Sequence, residues 1–111
     1  MRSWRSALLA VLAACGTSDP SYQCQTSYLT YANFGDAFIA NWCRGCHSVD
    51  LPPGMRQRAP VDMNFDTLAD VHAWSHDILV SAGLSTSMPP AGGPSDAERQ
   101  MLVDWLSCGA P

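Results

Sequence analysis

Cys43-Arg44-Gly45-Cys46-His47 (CRGCH) is the stretch on which the reading of this 111-residue chain turns. Two thiols three positions apart lie about one helical turn from each other, and the imidazole next to them leaves the backbone on their side. The segment before the pentad is helical: from Leu29 to Trp42, the residues Tyr31, Phe34, Phe38 and Trp42 recur at three- and four-residue spacing. The segment after it is not helical. Residues 43–65 are rich in proline and glycine and read as a loop. The pentad therefore stands where an amphipathic helix stops and a long irregular segment begins.

Further out, a second helical segment runs from about Asp66 to Ala82. Leu68, Val71, Ser75, Ile78, Leu79 and Ala82 trace one face, Asp66 or Thr67 can cap its start, and Gly83 can end it. A second Pro/Gly-rich loop spans 83–94. Ser95-Asp96-Ala97-Glu98 then has the form of a capping box. Met101, Leu102, Trp105 and Leu106 make the apolar stripe of the last helix, and Gly109 and Pro111 stop it. No segment reads convincingly as a strand. The sequence predicts one all-α domain over 29–111, with about three main helices and two long loops. In so small a domain such loops are either functional or disordered, and these want something to wrap around.

Three chemistries use paired thiols at this spacing. Trp42-Cys43-x-x-Cys46 resembles the thioredoxin active site, but there a strand leads into a helix that starts at the reactive thiol. Here the preceding segment is itself helical. A structural zinc site would need a second ligand pair, which the sequence lacks at suitable spacing. Covalent haem attachment uses all the fixed positions of the pentad. Cys43 and Cys46 reach the two vinyl groups on one edge of the ring, and His47 lies under the iron as its proximal ligand. The prediction is one covalently bound haem c.

A low-spin iron needs a sixth ligand, and Met88 is placed for it. It opens the run Met88-Pro89-Pro90-Ala91-Gly92-Gly93 just before the last helix, where the prolines hold the loop extended at low entropic cost. Met101 belongs to a helix stripe, and Met55 and Met63 flank a loop as ordinary apolar residues. His72 and His76 share a helical face. One of them could replace Met88 or bind another metal, or they form a polar edge of the second helix. Arg56, Arg58, Trp74 and Tyr31 are each candidates to touch the haem propionates.

The first residues carry an export address. Arg2 and Arg5 precede the short apolar stretch Ala7 to Ala14, too short to span a bilayer, and the run Leu12-Ala13-Ala14-Cys15 ends on a cysteine. That ending resembles the lipobox of bacterial lipoproteins. Residues 1–14 are predicted to be a lipoprotein-type signal peptide, Cys15 the lipid-bearing residue, and 15–28 a polar tether without periodicity. Lipid on Cys15 and haem on Cys43 and Cys46 leave two of the five cysteines, Cys24 and Cys108. An even remainder in an oxidising compartment predicts a disulfide between them, the alternative being two separate thiols.

Charge narrows the partners. The chain has no lysine, and beyond the leader four arginines face ten acids, a balance of −6. Nucleic acid needs a basic patch that these residues cannot assemble.

Over residues 29–108 the sequence resembles the class I monohaem cytochromes c, in the small bacterial lipoprotein form. Besides CRGCH and Met88-Pro89, Gly35 stands eight residues before Cys43, where the family's first and last helices cross. Ile39 stands four before it, where the family has an aromatic, with Phe38 adjacent. Glu98-Arg99-x-x-Leu102-Val103-x-Trp105-Leu106 is similar to the family's last helix. The resemblance implies a helical fold wrapped around the haem, with Pro60 at the position whose carbonyl accepts the proximal histidine's Nδ1–H. It also implies an extracytoplasmic one-electron carrier, not itself an enzyme, that exchanges electrons with a redox donor and acceptor. The lysine ring used by mitochondrial members for docking is missing here. The alternatives are a haem sensor or peroxidase-like protein with a labile sixth ligand and, behind them, a thiol oxidoreductase.

Overall fold

The computed structural model of the protein describes residues 20–111. The leader 1–14 and Cys15 lie outside the described residues. Within them the regular structure is helical and no strand forms. The order is α1 (Pro20–Thr26), α2 (Asp36–Trp42), α3 (Leu68–Ala73), α4 (Ser75–Ile78) and α5 (Asp96–Ser107). A π-helical turn, Tyr31–Gly35, leads into α2, and a second, Leu79–Gly83, continues α4. A short 3-10 turn, Pro53–Met55, lies in the long loop. Among the described residues no helix is long and apolar enough to cross a membrane.

Three reciprocal caps start α3, α5 and the turn that leads into α2. Thr30 Oγ1 accepts from the Asn33 amide while Asn33 Oδ1 accepts from the Thr30 amide. Thr67 and Asp70 do the same at α3, and Ser95 and Glu98 at α5. Two N–H groups that a helix start leaves without a partner are satisfied at each box.

The structure departs from the sequence reading in two places. The predicted second helix is broken at Trp74 (φ −104°, ψ 13°), whose half-buried indole packs against the core. The break separates the two histidines. His72 Nε2 donates to the carbonyl of Ala110, 2.9 Å away, while His76 turns to the other side. Residues 20–26, read as part of a tether, form α1 instead. A long-range cross-link accompanies this helix: Cys24 and Cys108, at the end of α5, are joined as a disulfide with Cα atoms 5.3 Å apart.

The core is the crossing of α5 over the Tyr31–Trp42 segment. Ile39, Val71, Leu102 and Trp105 are fully buried, with Phe38, Phe65, Ile78 and Leu106 around them. Trp105 stacks on Tyr31 at 6.3 Å and meets Phe34 edge-on at 6.0 Å. Glycine at 35 is what lets the segments approach. A Cβ there would lie 2.3 Å from Trp105 Cζ2, closer than real atoms come. The C-terminal residues close the back, since the Pro111 carbonyl accepts from the Tyr31 amide (2.6 Å) and from Trp105 Nε1 (3.2 Å).

Candidate functional site

The end of α2 delivers the pentad. Cys43 caps α2, donating its amide to the Ile39 carbonyl, and the next residues turn tightly, with the amides of Cys46 and His47 both donating to the Cys43 carbonyl. This places both thiols and the His47 ring on one wall of a cavity of about 580 Å³. That size lies within the range of small-molecule and cofactor sites. The walls are mostly apolar: Phe38, Trp42, Phe65, Ile78 and Ala82 are among them. Met88, Pro89 and Pro90 also line this cavity, as does Pro60 from the long loop. Residues singled out from sequence as far apart as 43 and 88 thus line one space.

His47 is buried, and its ring stacks on Phe65 with centroids 4.6 Å apart. Its Nδ1 lies 2.9 Å from the carbonyl oxygen of Met63. A carbonyl can only accept, so Nδ1 carries the proton and Nε2 is the nitrogen with a free lone pair. The acceptor is a correction to the sequence reading, which gave that role to Pro60. The Pro60 carbonyl is taken by Arg56 Nη2 at 2.7 Å, and a turn in which the Met63 amide donates to Pro60 brings the Met63 carbonyl under the ring. Pro60 keeps a place on the cavity wall.

Arg44, inside the pentad, ties three segments together. It donates to the Phe65 carbonyl (3.0 Å), the Tyr31 hydroxyl (2.9 Å) and Asp36 (2.8 Å), the last being an ion pair. The hydrogen bond from Arg44, and after it that of Tyr31, holds the Asp36 carboxyl below its usual value. Burial acts in the opposite sense on Cys43 and pushes its thiol up to about 12, against a smaller pull from Arg44. A thiol so placed is poorly suited to nucleophilic attack, since the reactive form is the thiolate.

The Met88 wall is built differently. Met88 is 39% exposed, but its backbone is fixed at both ends: its amide donates to the Ser81 carbonyl at 3.0 Å, and its carbonyl accepts from Arg99 Nη1 at 2.8 Å. Further along, Gly93 (φ +138°) presses on Trp42. A Cβ there would fall 2.3 Å from Trp42 Cζ3 and would also be strained by the backbone conformation. The second loop is thereby laid against the residue that precedes Cys43.

Of the other candidates, His76, Arg56 and Arg58 line the cavity, whereas His72, Tyr31 and Trp74 do not. Met101 and Met55 are away from it, and Met63 belongs to it through both side chain and carbonyl. Sequence reasoning missed Arg99 and the pairing of Phe65 with His47. Arg99 did leave a signal, because it lies three and seven residues before Leu102 and Leu106, on the buried stripe of α5. Among the described residues no three His, Cys, Asp or Glu side chains converge as a metal-holding group. No family model matches this chain, and no curated protein or solved structure matches it.

Proposed function

We infer that this chain is an extracytoplasmic monohaem cytochrome c that carries single electrons. One observation carries the reading: Cys43, Cys46, His47 and Met88 line the same apolar cavity of about 580 Å³. The residues present suit the group. Two thiols three positions apart, an imidazole and, from the second loop, a methionine line one apolar space. Nδ1 of His47 is already engaged, so Nε2 is left for iron.

Haem, when bound, supplies an iron that alternates between ferric and ferrous without forming bonds to a substrate. Cys43 and Cys46 would hold it covalently, and His47 and Met88 would supply donors to its iron. The Met63 carbonyl orients the His47 ring, and Phe65 fixes its plane. Phe38, Ile78 and Ala82 keep water from the interior. A methionine opposite a histidine favours the ferrous state and raises the potential. In this reading the leader and Cys15 anchor the domain by lipid to an extracytoplasmic membrane surface, and the donor and acceptor are redox proteins.

The exposure of Met88 favours a second reading, a haem sensor or peroxidase-like protein whose sixth ligand leaves easily.

The test is expression in a bacterium that exports the chain and attaches haem, and then acid–acetone extraction. Haem should remain on the protein, with a low-spin ferric spectrum, and the joint change Cys43→Ala and Cys46→Ala should abolish that attachment. A parent protein without covalent haem, or a double variant that retains it, overturns the reading. A ferrous parent that binds carbon monoxide readily transfers the function to the second reading.

A further inference from the structure

Two arginines are buried beside the cavity, Arg56 at 2% and Arg99 at 6% exposure. Burying a guanidinium is costly unless its charge is matched or its donors are all used. Neither has a carboxylate within ion-pair distance; the ion pair among the described residues is Arg44–Asp36. Asp66 feels the charge of Arg56 but is hydrogen-bonded to Ser48 and Val49 instead. Both guanidinium groups donate to backbone carbonyls, Arg56 through Nε, Nη1 and Nη2 and Arg99 through Nη1.

Those carbonyls form a pattern. Arg56 donates to Ser48, Ala59 and Pro60, and through Nη2 (3.2 Å) to the Met63 carbonyl that accepts the His47 Nδ1–H. Arg99 donates through Nη1 to Ala82 (2.6 Å), Ser85 (3.1 Å) and the carbonyl of Met88 itself (2.8 Å). Each arginine gathers one of the two loops and ends on the carbonyl that places one axial ligand.

We propose that Arg56 and Arg99 are matched positioning residues, one for His47 and the other for Met88, and that their buried charges, with no carboxylate hydrogen-bonded to either, bias bound iron toward the ferrous state. The inference rests on the haem reading above. The direction comes from two effects that agree. A buried positive charge near iron disfavours the ferric form, which carries one more positive charge. A cationic donor on the Met63 carbonyl also withdraws electron density that would otherwise strengthen the His47 hydrogen bond. That makes the imidazole a weaker donor to the metal, the reverse of the usual carboxylate effect.

The test uses the holoprotein and the variants Arg99→Lys, Arg99→Gln and Arg56→Lys, with three readouts: the reduction potential, the ferric spectrum, and carbon monoxide uptake by the ferrous form. Lysine keeps the charge, but its ammonium ends one bond short of the place where Arg99 Nη1 meets three carbonyls, and as a single nitrogen it cannot span the carbonyls that Arg56 reaches through three. Arg99→Lys should loosen Met88, seen as at least ten-fold faster carbon monoxide uptake and a weakened methionine–iron signature. Arg56→Lys should leave uptake at the parent level, because the distal loop is untouched. Arg99→Gln should also favour the ferric form by about ten-fold, which is about 59 mV for one electron.

Equal carbon monoxide uptake in Arg99→Lys and the parent overturns the positioning role of Arg99. Equal opening by Arg56→Lys and Arg99→Lys, or failure of both Arg99 variants to assemble while Arg56→Lys assembles, reduces the pair to plain structural braces and overturns the proposal. A parent without covalent haem removes its basis, and the extraction experiment detects that separately.

Discussion

On the wall that carries His47, the side chains are fixed. The ring is stacked on Phe65, bonded through Nδ1 to Met63, and backed by a residue whose own amide donates to the His47 carbonyl at 3.0 Å. On the wall that carries Met88 the backbone is fixed and the side chain is not. Ser85 Oγ, Ser87 Oγ and the Met88 amide all donate to the one carbonyl of Ser81, each at 3.0 Å, yet the Met88 thioether has no hydrogen-bond partner among the described residues and Met88 is 39% exposed. Both walls are irregular loops of similar composition. What separates them is whether the closing interactions reach the end of the side chain or stop at the main chain. In the carrier proposed above, this division would keep the His47 side rigid and let the second loop tune Met88.

The sharpest way to break that contrast is Phe65→Ala. Phe65 is 5% exposed and holds the ring of His47, so its truncation should cost about 3–5 kcal/mol in chemical unfolding. A loss well under 1 kcal/mol would mean that the proximal wall does not depend on its side chains.

Met88→Ala is the distal counterpart and should behave otherwise. The side chain is already partly in water, so the haem should stay attached and the fold should survive. The ferric iron should turn high-spin or take another ligand, with His76 the imidazole on the cavity wall. The potential should fall and the ferrous form should bind carbon monoxide. An unchanged spectrum and potential would show that another residue completes the iron, and unfolding comparable to Phe65→Ala would erase the difference between the walls.

These walls also show what the sequence could carry. The pentad and Met88-Pro89 were legible because their chemistry lies in residue type and local spacing. The α5 cap was legible because Ser95 and Glu98 satisfy each other within one turn. The acceptor for His47 was not, since every residue has a carbonyl and only the turn from Pro60 to Met63 selects one. Arg56 and Arg99 were hidden for the same reason: their partners are main-chain atoms that the fold brings together. The helix α1 carries one end of a cross-link across 84 residues, which cysteine parity suggested as a pair without implying a helix. The break at Trp74 reflects packing of its indole against the core, which overrode a continuous helical pattern.

The smallest effect belongs to Asp36, at the outer edge of the proximal wall, and its value lies in its pH dependence. Its pKa is lowered in the folded protein, chiefly by the hydrogen bond from Arg44 and then by that of Tyr31. A depressed acid stabilises the fold where it is ionised in both states, that is, above its unfolded value of about 3.9, and the contribution is lost as pH falls through the folded value. Asp36→Asn should therefore unfold slightly more easily than the parent at neutral pH. The two should converge as pH drops below the ordinary carboxylate range, and again in high salt, because the pair is exposed and screened. Arg44 retains Tyr31 and the Phe65 carbonyl in the variant, so the His47 wall should keep its geometry and the ferric spectrum should not move. A gap between variant and parent that persists unchanged at acid pH would show that Asp36 acts through packing rather than charge. A shifted spectrum would mean that the rigidity of the proximal wall extends to this outer ion pair, further than the contrast with Met88 requires.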